Sequence, residues 1–313
     1  LTTCVPFPIS PFPYFPLFPF PPFSLPMRYH ILHTTSYIYE RAVVLNPHVI
    51  RLRSRADGNQ TLHSFSLEIS PEPAGISQVL DLEGNAITRI WFVEPTESLK
   101  ITVASEVETH STNPFNYILE PWATQLPIDY PSSVLAQIMP YLNPQGTPSN
   151  IDPIIYELAQ EICHEVNGKT DIFLMQLNQR IYSNCKQEIR ETGAPLPPGI
   201  TWKQQAGSCR DLAVVFIEAC RAVGLAARFV SGYQEGDPDN EERHLHAWVE
   251  VYLPGAGWRG YDPIQGLVVA DRHISLVATA LPRNAAPVSG SIRGNARSTM
   301  HYDLKITHLN QPS

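Results

Sequence analysis

No stretch of this sequence is apolar for the roughly 20 residues that a bilayer-spanning helix needs, so a membrane partner is not expected. Cysteine is sparse. Its five copies, Cys4, Cys163, Cys185, Cys209 and Cys220, form no Cys-x-x-Cys pair, which argues against a zinc site. An odd, scattered set is no disulfide framework either, and it points to reduced thiols in a cytoplasmic setting. Basic charge is also in deficit: 22 Lys and Arg stand against 30 Asp and Glu, a formal net charge of −8. That balance argues against nucleic acid or an anionic membrane surface as the main partner. What is present is core material, since 43% of the 313 residues are hydrophobic, enough for two domains.

Composition divides the chain. Residues 1–26 alternate Pro and Phe, which holds neither a helix nor a central strand, so extended disorder is expected there. The segment has no signal-peptide pattern, and Met27 is read as the natural start, with the preceding residues not native to the protein. Residues 27–110 switch to period two, as in Phe65, Leu67, Ile69 and again Leu99, Ile101, Val103. With Gly-containing turns between the runs, they predict an antiparallel β-sandwich. Its histidines His30, His33, His48 and His63 show no ligand spacing and are read as surface or partly buried residues. Residues 111–150, rich in Pro and Asn, read as a linker. Residues 151–313 then read as one catalytic-type α+β domain. It opens with helices from Asp152-Pro153 and around Asp171–Tyr182, and strands follow Gly224.

The chemistry concentrates at Gly207-Ser208-Cys209-Arg210-Asp211. Ser208 and Asp211 read as an N-cap and its capping-box partner, and Leu212, Val215, Phe216, Ala219 and Val223 form a buried stripe that ends at Gly224. Cys209 therefore lies on the first turn, where the helix dipole favours a thiolate by about one pKa unit at best. That leaves a thiol largely protonated at neutral pH, so a reactive Cys209 needs an imidazolium beside it. Cys220, about 16 Å along the helix, is too far for a disulfide and reads as core.

A hairpin offers the imidazole. His246 begins its first strand and Asp262 ends its second, at the same end of the ladder. A four-residue loop at 254–257 would put Asp262 opposite Val249, on the wrong face. An odd-length loop or a bulge puts it opposite Trp248, on the face of His246. The odd length is the expectation.

These blocks, with Ala227-Arg228-Phe229-Val230-Ser231-Gly232-Tyr233 and Gly257-Trp258-Arg259-Gly260-Tyr261-Asp262-Pro263, resemble the bacterial transglutaminase-like proteins. The resemblance covers roughly residues 150–313, and the preceding β-rich region is similar to the N-terminal domain that accompanies that core. It implies a papain-like α+β core carrying Cys209 as nucleophile, His246 as general base and Asp262 as orienting acid, the trio already reached from the residues. It implies acyl transfer or hydrolysis on peptide or side-chain amides through a thioester, with a peptide or protein substrate and no cofactor. The Cys209 N–H is the natural first oxyanion donor, while Gln204, Gln205 and Trp202 stand as equal candidates for the second. The rival expectation is a non-catalytic peptide- or protein-binding module on the same fold. His244 and His246 share a strand face, but no third metal ligand is evident. Trp248 and Trp258 read as packing residues, nothing in the sequence gives His273 a role, and the oligomeric state stays open.

Overall fold

The computed structural model describes residues 26–143, 151–190, 192–236 and 244–309. The Pro/Phe-rich segment with Cys4, the end of the expected linker and most of the acidic loop after Glu235 lie outside the described residues.

Strands β1 (Met27–Leu45), β2 (His48–Ile50), β3 (Gln60–Ser70), β4 (Gly75–Leu80), β5 (Ala86–Trp91) and β6 (Thr96–Thr109) form the N-terminal sandwich. The period-two pattern sets its inner face: Leu99, Ile101, Val103, Ser105 and Val107 of β6 are buried, and the residues alternating with them are not. Helices follow: α1 (Ser132–Leu142), α2 (Pro153–Glu165) and α3 (Thr170–Asn184). The Asp152 carboxylate caps α2 by accepting the Ile154 N–H at 3.0 Å, as its position before Pro153 predicts. The expected linker thus contains a helix. Flanking Pro131 and Pro140 near its end concealed α1, whose buried residue is Ile138.

A parallel pair, β7 (Lys186–Gln187) with β8 (Ala206–Gly207), brackets α4 (Pro198–Gln204). Helix α5 (Cys209–Ala222) comes next. It packs on an antiparallel sheet built from β9 (Ala227–Gln234), β10 (Leu245–Leu253), β11 (Gly257–Asp262), β12 (Leu267–Val268) and β13 (His273–Thr279). The order is β12-β11-β10-β9-β13. Leu212, Val215, Phe216 and Ala219 of α5 share one apolar cluster with Ala247, Val249 and Val251 of β10, and Phe216 stacks on Tyr261 at 5.5 Å. Cys220 is fully buried there, and burial pushes its thiol up.

The chain's end corrects the expected boundary. Strands β14 (Val288–Ser289), β15 (Ile292–Arg293) and β16 (Ser298–His308) leave the second half and return to the sandwich. There β14 pairs with β2, β15 with β1, and β16 with β1 from Tyr29↔His308 to Tyr39↔Ser298. The long β1 has room along its other edge, and an eleven-residue strand needs backbone partners over its whole length. Residues 151–313 are therefore not one domain in space.

The two halves meet across β13, an edge strand. Two side-chain amides pair with it as a neighbouring backbone would. Gln60 gives its Nε2–H to the Ser275 carbonyl at 2.9 Å and takes the Ser275 N–H at 2.8 Å. Asn85 does the same with Ala278, both bonds at 2.9 Å. This covers an edge that would otherwise be open to pairing. Beside it His33, read as surface or partly buried, is fully buried, with Nδ1 2.9 Å from the Tyr233 hydroxyl and Nε2 3.1 Å from Thr35 Oγ1.

Candidate active site

The start of α5 is built as the capping pattern predicts. Asp211 Oδ2 accepts the Ser208 N–H at 2.8 Å and the Ser208 hydroxyl at 2.6 Å. Its Oδ1 takes the Leu196 N–H at 2.8 Å and the Arg190 guanidinium at 2.5 Å. Asp211 is thus more than a helix-start residue, because it ties the loop before α4 to the turn that carries the thiol. Burial opposes its charge, but these donors prevail and hold its carboxyl below the usual range. Gly207 is required by crowding: a Cβ there would lie 2.9 Å from Asp211 Cβ and 3.0 Å from Thr201 Cγ2.

The hairpin meets the geometric condition set above. Leu253 pairs with Gly257, leaving the three-residue loop 254–256. Extended from Val249↔Tyr261, the register puts Asp262 opposite Trp248, on the face of His246. Gly255 has φ +87 and lies against the 118–120 backbone, where a Cβ would come within 2.5 Å of the Ile118 carbonyl oxygen. The loop length is fixed by that contact as well as by its own turn.

His246 Nε2 then lies 2.7 Å from Asp262 Oδ2. The Asp262 side chain is fully buried and that of His246 is 11% exposed. The other ring nitrogen is not taken by Asp262, and Cys209 at the start of α5 is near enough to His246 for each to perturb the other's charge. The electrostatics follow from these contacts. Burial works against the His246 charge, but the Asp262 carboxylate and the Cys209 thiolate reverse it, so His246 is raised to about 10. Burial also pushes the Cys209 thiol up. The His246 hydrogen bond and charge, then Arg210 and the Ala247 N–H, outweigh it and bring the thiol below its ordinary value. Burial raises Asp262 too, and His246 with His273 overcomes it, holding the carboxyl well below the usual range. A half-buried thiol beside a carboxylate-held imidazole can exist as a thiolate–imidazolium pair, the form in which a cysteine attacks a carbonyl.

One contact was missed. His273 Nε2 lies 3.0 Å from the same Asp262 Oδ2, and the residue is 7% exposed. The sequence held no short-range signal for this, because β9 and β10 separate β13 from β11 in the sheet. Among the described residues, His246, Asp262 and His273, whose ligand atoms lie within 4.8 Å of one another, are the trio that could hold a metal, and His244 is not part of it. His244 instead meets the Tyr302 hydroxyl of β16.

The oxyanion candidates differ in burial. Trp202 packs, partly buried, against the apolar core, whereas Gln204 and Gln205 are exposed at the end of α4, with Gln205 left-handed at φ 50. Trp248 is buried, and Trp258 lies under the Arg228 guanidinium at 4.0 Å, both packing residues as read. No helix among the described residues is long and apolar enough to cross a membrane.

Residues 29–108 match the bacterial transglutaminase-like N-terminal region, and residues 157–263 match the transglutaminase-like superfamily. An uncharacterized protein of Mycobacterium tuberculosis is 28% identical over 295 residues, covering 88% of this chain and 92% of its own. One from Mycobacterium leprae is 24% identical over 290 residues, 90% and 99% of the two chains. A protein-glutamine gamma-glutamyltransferase of Pseudomonas aeruginosa is 34% identical over 79 residues, 23% of this chain and 12% of its own. Among solved structures, a candidate cysteine protease from Cytophaga hutchinsonii superposes with a TM-score of 0.71 at 22% identity over 93% of each chain. That likeness is one of fold.

Proposed function

This chain belongs to the transglutaminase-like superfamily, and on that premise we propose that it is a cysteine-dependent enzyme acting on peptide or side-chain amides through a thioester. The observation that carries the reading is the Cys209–His246–Asp262 arrangement: an imidazole 2.7 Å from a fully buried carboxylate, near enough to a thiol to lower it. The Cys209 thiolate attacks the amide carbonyl carbon, and the tetrahedral oxyanion is stabilised by the Cys209 N–H and a second donor from among Trp202, Gln204 and Gln205. The His246 imidazolium gives its proton to the departing amine as the C–N bond breaks, leaving a thioester. Neutral His246 then takes a proton from the acceptor, which attacks the thioester and expels the thiolate, restoring the pair with protonated His246. Asp262 orients His246 and stabilises its charged form throughout.

Water as acceptor makes the enzyme a hydrolase and an amine makes it a transamidase. The 79-residue likeness to a protein-glutamine gamma-glutamyltransferase supports the second outcome, and in both the proposed substrate is a protein or peptide. The test is incubation with a peptide library, with and without hydroxylamine, in wild type and Cys209→Ala. Hydroxamates or cleavage products that depend on Cys209 are expected. No such product from any amide would overturn the reading.

A further inference from the structure

The catalytic reading leaves His273 unused, although it touches the same carboxylate oxygen as His246. Asp262 accepts four N–H groups. Its Oδ1 takes the backbone N–H of Ile264 at 3.0 Å and of Gln265 at 3.2 Å, and its Oδ2 takes the two imidazoles at 2.7 and 3.0 Å. An ionised carboxylate can only accept, so Nε2 of His273 must carry a hydrogen. Asp262 is the sole polar partner of the His273 ring, because among the described residues Nδ1 has none. A buried imidazole with one nitrogen unmatched is a costly way to fill space that a leucine would fill.

We propose that His273 is a positioning residue, its Nε2–H holding Asp262 Oδ2 in the place where it meets His246. The proposal rests on the functional reading above. The groups that face His246 are Cys209 from α5, Asp262 from β11 and, through Asp262, His273 from β13. His273 is itself held. It opens β13 opposite Gln234, and its ring stands edge-on to Trp248 at 5.2 Å. The Trp248 indole lies across Gly232, where a Cβ would come within 2.5 Å of it. The glycine of the Ser231-Gly232-Tyr233 block therefore makes room for the indole that braces His273. Two backbone donors fix Oδ1, and the second imidazole fixes the direction of Oδ2, so the carboxylate cannot swing off His246.

The experiment is the pH profile of Cys209 alkylation by iodoacetamide in wild type, His273→Leu and His273→Gln. Losing the brace weakens the imidazolium, so in His273→Leu the thiolate limb moves up by about one pH unit, and the rate read on that rising limb falls about tenfold. Gln, whose amide N–H can reach Oδ2, restores most of that rate. A Leu variant with the wild-type profile, or a shift that Gln does not reverse, would overturn the proposal and leave the functional reading standing. A wild-type profile with no acid-shifted limb would sink the functional reading and this proposal together. A measurement on wild type needs no variant to fold: side-chain ¹⁵N spectra must show hydrogen on His273 Nε2. Hydrogen confined to Nδ1 overturns the proposal.

Discussion

Two buried histidines in this molecule are pushed in opposite directions. His246, at the mouth of the helix–hairpin site, has Asp262 at 2.7 Å and is raised to about 10. His33, in the seam between the sandwich and the second sheet, has hydroxyls of Tyr233 and Thr35 for partners and is lowered to about 4. For both, burial penalises the charged form. The difference is the carboxylate. Where one is within hydrogen-bonding distance the site stores a charge pair, and where hydroxyls take its place the seam stays neutral. One region is made to carry charge and the other to exclude it.

Breaking the charged region has the largest expected effect. His246→Ala removes the proton carrier, and turnover on any amide the enzyme accepts should fall by about 10³-fold or more. Asp262→Asn keeps the shape but not the charge; a loss of about 10²–10³-fold is expected, together with a lower midpoint in denaturant. Equal activity in either variant would mean that the pair is structural.

The seam breaks differently, through pH. Because His33 is lowered when folded, the unfolded chain binds the extra proton first. Its contribution to stability is therefore complete above about 6.5 and is lost as pH falls toward about 4, a change of about 3 kcal/mol. Urea unfolding at pH 7 and pH 4.5 should show this slope in wild type and not in His33→Gln. For His246 the sign is reversed: its stabilising share is whole below about 6.5 and fades as pH climbs through about 10.

Smaller effects sharpen the division. Asn85→Ala leaves the Ala278 N–H and carbonyl without their amide partner and should cost about 1–3 kcal/mol of stability, with Cys209 reactivity unchanged. Cys220→Ala, at a thiol that burial pushes up, should cost about 1–2 kcal/mol and leave labelling of Cys209 as it was. A change in Cys209 alkylation in either variant would mean that seam and site are coupled.

Much of the site was legible because its signals are local. A cap, a stripe and a stop placed Cys209 on a helix, and the parity of a loop placed Asp262 on the face of His246. What escaped was non-local. His273 reaches Asp262 only once the sheet orders β13 next to β9, and nothing within a few residues of it hints at that. Gln60 and Asn85 carry no local signal of their role, because their pairing with an edge strand exists only across more than 190 positions of sequence. The return of β16 to β1 was hidden for the same reason: a strand was visible in Thr299–His308, its partner was not. Helices α1 and α4 were lost to their prolines, which mark loops in sequence and sit here inside α1 or at the first turn of α4.

The central claim is that Cys209 reacts as half of an ion pair with His246, and the most direct measurement is its alkylation rate as a function of pH. An ion pair predicts a rate at pH 6 close to that at pH 8, because the thiol is lowered and His246 stays protonated until about 10. That rate should fall at least a hundredfold in His246→Ala. A wild-type rate that drops by about 300-fold from its plateau to pH 6, as for a free thiol of pKa near 8.5, would contradict it.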